Sequence, residues 1–132
     1  MDKENILMRI QDCGIVAVVR AESADKAERI VDACMEGGVA AIELTFSVPH
    51  ADRVIETLSY KYDPKDIILG AGTVMDAATA RIAMLSGAQY IVSPYLDLET
   101  LKMCNRYRVP MMPGVMSVRE AVTAMENGAD IL

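Results

Sequence analysis

The chain has 132 residues, of which 52% are hydrophobic and 24% charged, a composition typical of one globular domain rather than a disordered segment. Its net charge of −6 argues against a nucleic-acid partner, because binding to phosphates requires a basic surface. The charged N-terminus lacks the apolar core of a signal peptide and no apolar run reaches about 18 residues, so the sequence predicts a cytoplasmic protein without a membrane span.

Short apolar runs alternate with longer amphipathic stretches along the chain. The runs predict strands over residues 15–19, 41–46, 67–70, 90–93 and 109–112, with a sixth strand beginning at Ala129. The stretches between them predict helices because their apolar residues recur at helical spacing. These helices are expected to begin near Ser23, Pro49, Asp76, Asp97 and Ser117.

Strand–helix alternation predicts an α/β fold with a parallel sheet and right-handed crossovers. The repeat is about 20–25 residues, so residues 1–132 form a single domain of about five and a half βα units. Two architectures fit this pattern. One is an incomplete (βα)8 barrel of the TIM-barrel type, and the other is a complete five-strand doubly wound sheet.

The cysteine and histidine residues do not form a recognisable metal site. Cys13, Cys34 and Cys104 lie far apart in or beside apolar segments, which favours buried free thiols in a reducing compartment. His50 is the single histidine and has no clustered partners. The sequence therefore predicts neither a metal nor a cofactor.

The second predicted strand carries a carboxylate among apolar residues. Strand alternation puts Glu43 and Thr45 on the face opposite to the apolar residues, so that both point into the interior. A desolvated glutamate has a raised pKa and can act as a general acid/base near neutral pH. Alternatively, Glu43 forms a structural ion pair with Arg20, which ends the first strand at the same rim.

Small and rigid residues end the other strands. Glycines including Gly72 after strand three would let a ligand approach the backbone, and Thr73 could donate a hydrogen bond to a carboxylate or phosphate. Close helix–strand packing is the other explanation for the glycines. Pro94 and Pro113 close strands four and five, where they either end the ladder or line a small-ligand pocket.

An ordered set of residues resembles the aldolases of 2-keto-3-deoxy-6-phosphogluconate (KDPG) and 4-hydroxy-2-oxoglutarate (KHG). The set comprises Arg20, residues 42–46, residues 70–74, residues 92–94 and residues 113–115. The resemblance implies a compact (βα)8 barrel, usually a homotrimer. It also implies metal-free cleavage of the phosphorylated keto acid to pyruvate and glyceraldehyde 3-phosphate through a lysine imine.

The same resemblance implies roles for individual residues. Glu43 matches the acid/base of the family, and Thr73 matches a residue that binds the substrate carboxylate. Pro94 and Pro113 match pocket walls, with Thr45 and Gly72 beside the substrate. Some members carry a substrate-clamping arginine where this chain has Ser47. Arg20 is expected to supply that charge instead.

The resemblance places the imine lysine on strand six, immediately after Leu132. The lysines present are Lys3, Lys26, Lys61, Lys65 and Lys102, none of which is predicted to end a strand. We therefore expect a truncated chain that is inactive alone. A non-catalytic half-barrel that self-associates is the alternative from another class, because an open sheet leaves its edges unpaired. A different phosphate-binding barrel is a third interpretation, which Glu43 and Thr73 disfavour.

Overall fold

The computed structural model describes residues 2–132 as one parallel sheet surrounded by helices. Along the chain the elements are α1 (Lys3–Cys13), β1 (Val16–Val19), α2 (Ala24–Glu36), β2 (Ala41–Thr45), α3 (Ala51–Lys61), β3 (Ile68–Gly72), α4 (Ala77–Leu85), β4 (Tyr90–Ser93), α5 (Leu98–Arg106), β5 (Met111–Pro113) and α6 (Val118–Glu126).

The strands lie side by side in chain order, β1-β2-β3-β4-β5, and every neighbouring pair is parallel. A doubly wound sheet reverses its strand order at a switch point, and no such point exists here. The doubly wound alternative is therefore wrong. Successive strands that always add on the same side are the arrangement of a (βα)8 barrel, of which the chain contains part.

The predicted helix starts agree with the capping contacts of the structure. Ser23, Asp76, Asp97 and Ser117 each accept a hydrogen bond from the backbone amide three residues later. Such caps satisfy amides that have no partner inside the helix. The third helix, α3, begins at Ala51, slightly later than Pro49 suggested.

The first helix, α1, lies outside the elements that the sequence predicts, which begin with the first strand. Asp2 caps this helix, and Ile6 and Ile10 share one buried face at i, i+4 spacing. That face packs against inward-facing side chains of the sheet, namely Ala41, Ile68 and Tyr90. Helix α1 thus closes the interior at the amino-terminal ends of the strands.

The two faces of the sheet bury different residues. Ile42 and Leu44 pack in the larger core under α2 to α5, together with residues such as Ile55 and Leu101. Glu43 and Thr45 point to the opposite, inner face, as the alternation of β2 predicts. The fold therefore exposes polar groups of the strands to the barrel interior.

The predicted sixth strand is not formed. After α6 the chain runs beside β5, where the Asp130 amide donates to the Met111 carbonyl oxygen at 3.3 Å. The Met111 amide, however, donates to the Asp130 carboxylate at 3.1 Å, so a side chain replaces the backbone acceptor that a parallel ladder needs. Lys3 of α1 forms an ion pair with Asp130 at 2.9 Å and holds this segment.

The three cysteines are free thiols, but only Cys104 is fully buried, while Cys13 and Cys34 are half-buried. Burial raises the pKa of Cys104 to about 12, so this thiol stays protonated. Within residues 2–132, none of the helices is both long enough and apolar enough to cross a membrane.

Candidate active site

Glu43 is a buried carboxylate without a direct partner. It lies on β2 between Val18 of β1 and Gly70 of β3, and only 8% of the residue is exposed. Among residues 2–132 its carboxylate has neither a hydrogen bond within 3.5 Å nor an ion pair within 4.0 Å. Burial raises the pKa of Glu43, and the positive charge of Arg20 opposes this shift.

Arg20 follows directly after β1 and is exposed at the rim. Its guanidinium influences Glu43 through space but does not form the structural ion pair that the sequence left open. A lone exposed cation beside a buried carboxylate remains available to an anionic ligand. The geometry therefore favours a binding role for Arg20 over a purely structural one.

Gly72, the last residue of β3, provides the space that the Glu43 carboxyl group occupies. A Cβ atom at residue 72 would lie 1.6 Å from Oε1 of Glu43, far inside van der Waals contact. The alternative of helix–strand packing does not explain this glycine, because its neighbour is a side chain of the interior. Glycine at residue 72 is thus a requirement of the Glu43 position.

Two threonines lie at the carboxyl ends of the strands that flank this site, Thr45 ending β2 and Thr73 following β3. Thr73 follows β3 with a φ of 55°, a left-handed conformation that is strained for a β-branched residue. Its hydroxyl forms no hydrogen bond within the described chain, so it is free to bind a ligand. Thr45, at the end of β2, is 2% exposed and its Oγ1 lies 2.8 Å from Oγ of Ser47.

The two prolines lie at the ends of β4 and β5. Pro113 is the buried last residue of β5, whereas Pro94 follows β4 and is exposed. Gly114 lies directly against Pro94, since a Cβ there would be 2.2 Å from the Pro94 carbonyl oxygen. Pro94, Pro113 and Gly114 thus form a closely packed rim at the carboxyl ends of β4 and β5.

All seven residues singled out in the sequence therefore lie on or directly after strands, towards the carboxyl ends. Glu43, Thr45 and Gly72 lie on the adjacent strands β2 and β3, while Arg20 directly follows β1 and Thr73 directly follows β3. A separate cleft of about 190 Å³ lies near the amino ends of β3 and β4, against Tyr62 and Gln89. That cleft lies beside Ile67 and Leu69, on the outer face of the sheet, whereas Glu43 points to the inner face.

The lysines of the described chain do not reach this site. Lys3, Lys61 and Lys102 lie on helices and pair with Asp130, Glu28 and Glu99. Lys26 is an exposed residue of α2, and Lys65 is exposed before β3. No described lysine follows the carboxyl end of a strand.

Sequence reasoning missed Tyr90, the first residue of β4. Its side chain is fully buried on the inner face, and its hydroxyl donates to the carbonyl oxygen of Ile42 at 2.9 Å. Tyr90 begins β4, whereas functional residues of parallel βα folds are expected at the carboxyl ends of strands. The alternation of residues 90–93, aligned with Glu43 of β2, could have revealed it.

A model of the KDPG and KHG aldolase family matches residues 6–132. The chain belongs to this family. It is 31% identical to the KDPG aldolase of Treponema pallidum, covering 89% of this chain and 55% of that relative. It is 30% identical to the 2-dehydro-3-deoxy-6-phosphogalactonate aldolase of Escherichia coli, covering 89% of this chain and 57% of the relative. The chain thus spans a little over half the length of the curated relatives it matches.

Solved structures of this aldolase family share the fold. The KDPG aldolase of Zymomonas mobilis superposes with a TM-score of 0.84 at 26% identity, over 98% of this chain and 60% of that one. The Legionella pneumophila aldolase, captured with pyruvate as a covalent carbinolamine, superposes with a TM-score of 0.79 at 27% identity over 86% of this chain and 54% of that one.

Proposed function

We propose that this chain supplies the acid/base part of the active site of an imine-forming aldolase that cleaves KDPG to pyruvate and glyceraldehyde 3-phosphate. The observation that carries the proposal is the partnerless buried carboxylate of Glu43, which lies against Gly72 at the carboxyl end of β3, the end at which barrel enzymes place their catalytic groups. A carboxyl group with a raised pKa can both donate and accept a proton near neutral pH.

In the proposed reaction the keto carbon of the substrate becomes a carbinolamine on a lysine amine. Glu43 donates a proton to the departing hydroxyl group, and loss of water gives the imine. The C3–C4 bond then breaks and its electron pair moves into an enamine, while the C4 hydroxyl gives its proton to the Glu43 carboxylate and becomes the aldehyde. Glu43 next protonates C3, and hydrolysis of the imine releases pyruvate.

The remaining residues of the site would hold the substrate. Thr73 has a free hydroxyl that would donate to the carboxylate of the keto acid, and Arg20 would contribute a positive charge nearby. Thr45 and Gly72 shape the floor around Glu43, while Pro94 and Pro113 provide rigid walls. The KDPG, KHG and galactonate substrates share the keto-acid end that these residues would contact.

The imine lysine is the group that the described residues do not provide. We propose that the 132-residue chain alone does not cleave KDPG, because its lysines lie on helices or before β3. We also propose that the protein assembles as a homotrimer. A designed cage made by fusing symmetric oligomeric domains matches 86% of this chain with a TM-score of 0.80, which supports self-assembly.

The test is a chimera that joins this chain to the C-terminal segment of the Zymomonas mobilis aldolase, which would provide further strands and the imine lysine. Pyruvate release from KDPG is followed with lactate dehydrogenase. We expect turnover by the chimera and none by the isolated chain. E43Q should lower kcat by about 100-fold or more, the range for losing a general acid/base. E56Q, on the exposed face of α3, is the matched control and should leave kcat unchanged.

A second candidate function is a self-associating half-barrel. Val18 is 50% exposed on β1, although it neighbours the buried Glu43 in the sheet register. An exposed apolar residue on the outermost strand favours pairing with another copy. Sedimentation velocity over a hundredfold concentration range tests this function. V18K should weaken any association, while a monomer at all concentrations would exclude it.

A further inference from the structure

Tyr90, Gly70 and Glu43 form one row across the inner face of the sheet. Glu43 of β2 is in register with Gly70 of β3, which is in register with Tyr90 of β4. A Cβ at residue 70 would lie 2.2 Å from Cζ of the Tyr90 ring. The ring of Tyr90 therefore lies directly over Gly70 and reaches across β3 towards β2.

The Tyr90 hydroxyl anchors this ring to the strand that carries Glu43. It donates to the carbonyl oxygen of Ile42 at 2.9 Å, one residue before Glu43. The ring also belongs to the cluster with Ile6 and Ile10, which α1 covers. Tyr90 therefore fills the interior on the amino-terminal side of Glu43.

The electrostatics agree with a close approach of the two groups. Burial first, and then the charge of Glu43, raise the pKa of Tyr90 well above its ordinary value. The phenol therefore stays protonated and keeps donating to the Ile42 carbonyl oxygen. Burial also raises the pKa of Glu43, and the fully buried phenol occupies space that water would otherwise fill.

We propose that Tyr90 is a positioning residue for Glu43, whose ring excludes water from the interior side of the carboxyl group and whose hydroxyl fixes the ring to β2. This inference rests on the proposed function, in which Glu43 is the acid/base. The same inference explains why β3 has glycine at residues 70 and 72. Gly70 makes room for the ring that excludes water, and Gly72 makes room for the carboxyl group itself.

The test measures the pKa of Glu43 directly in the 132-residue chain. The chain is labelled with ¹³C at glutamate carboxyl groups, E43Q assigns the signal, and NMR spectra are recorded across pH. Y90F keeps the ring, so the pKa of Glu43 should stay raised. Y90A removes the ring and should move this pKa back towards the ordinary value. If Y90A does not fold, Y90L replaces it and should give a smaller shift of the Glu43 pKa in the same direction.

A control variant separates this effect from general loosening of the core. Phe46 packs against the outer core just after β2, so F46L removes apolar volume nearby without opening the inner face. F46L should leave the pKa of Glu43 unchanged. A Glu43 pKa that is unchanged in whichever of Y90A and Y90L folds, or an equal shift in F46L, would overturn the inference.

The two proposals fail in different ways. If Glu43 is not the acid/base, the E43Q chimera keeps its kcat, whatever the Tyr90 variants show. If Tyr90 does not position Glu43, E43Q still abolishes turnover, while Y90L and the parent chimera share one pH profile of kcat. The inference predicts instead that Y90L shifts the limb of the profile that depends on Glu43 towards lower pH, and that Y90F does not.

Discussion

Gly72→Ala tests the packing that defines the site. The added Cβ would lie 1.6 Å from Oε1, 2.4 Å from Cδ and 2.8 Å from Cγ of Glu43, so the carboxyl group must move. Overpacking of this kind costs about 1–3 kcal/mol. Replacing glycine by alanine within a strand otherwise raises the free energy of unfolding by about 0.5–1 kcal/mol. The net loss of unfolding free energy should be about 0.5–2 kcal/mol, measured by urea denaturation.

A double-mutant cycle assigns this loss to one contact. In a Glu43→Ala background the obstructing atoms are gone, so G72A should become neutral or stabilising by about 0.5–1 kcal/mol. Gly37→Ala is the matched control, because its added Cβ would meet nothing closer than 3.4 Å and its φ is −80°. Equal destabilisation by G72A in both backgrounds would refute the assignment of Gly72 to the Glu43 position.

Two further predictions concern charge. Because burial raises the folded-state pKa of Glu43, the native chain binds its proton more tightly than the unfolded chain. The resulting stability is present below the ordinary pKa of 4.5 and is lost as pH rises through the folded-state pKa. The urea midpoint of E43Q should not show this decline with rising pH. Midpoints of E43Q and the parent chain that fall in parallel with pH would contradict the prediction. Lys3→Ala should cost about 1–3 kcal/mol because it leaves Asp130, 12% exposed, without its cation. Lys102→Ala, whose pair with Glu99 is exposed, should cost under about 0.5 kcal/mol, and equal losses would argue against the Lys3 contact.

The local elements were largely predictable from the sequence because local chemistry decides them. β4 spans Tyr90–Ser93 as predicted, and the caps at Ser23, Asp76, Asp97 and Ser117 follow from side chains that accept from free amides. The inward direction of Glu43 follows from strand alternation alone. These features depend on neighbours within a few residues along the chain.

The features that sequence reasoning missed depend on distant contacts. β3 extends to Gly72, two residues beyond the prediction, because pairing with Thr45 of β2 outweighs the poor strand propensity of glycine. The predicted sixth strand is replaced by a segment in which Asp130 accepts from the Met111 amide through its side chain. The role of Tyr90 depends on a hydrogen bond to a residue 48 positions earlier. Local patterns carry no information about such partners, nor about the order of strands in the sheet.

The central claim is that Glu43 is the acid/base of an aldolase site. The most direct measurement is kcat for pyruvate release from KDPG by the chimera, compared between Glu43, E43Q and the control E56Q. The account predicts turnover by the parent chimera and by E56Q, with a loss of about 100-fold or more in E43Q. A folded E43Q chimera with the kcat of its parent would contradict it.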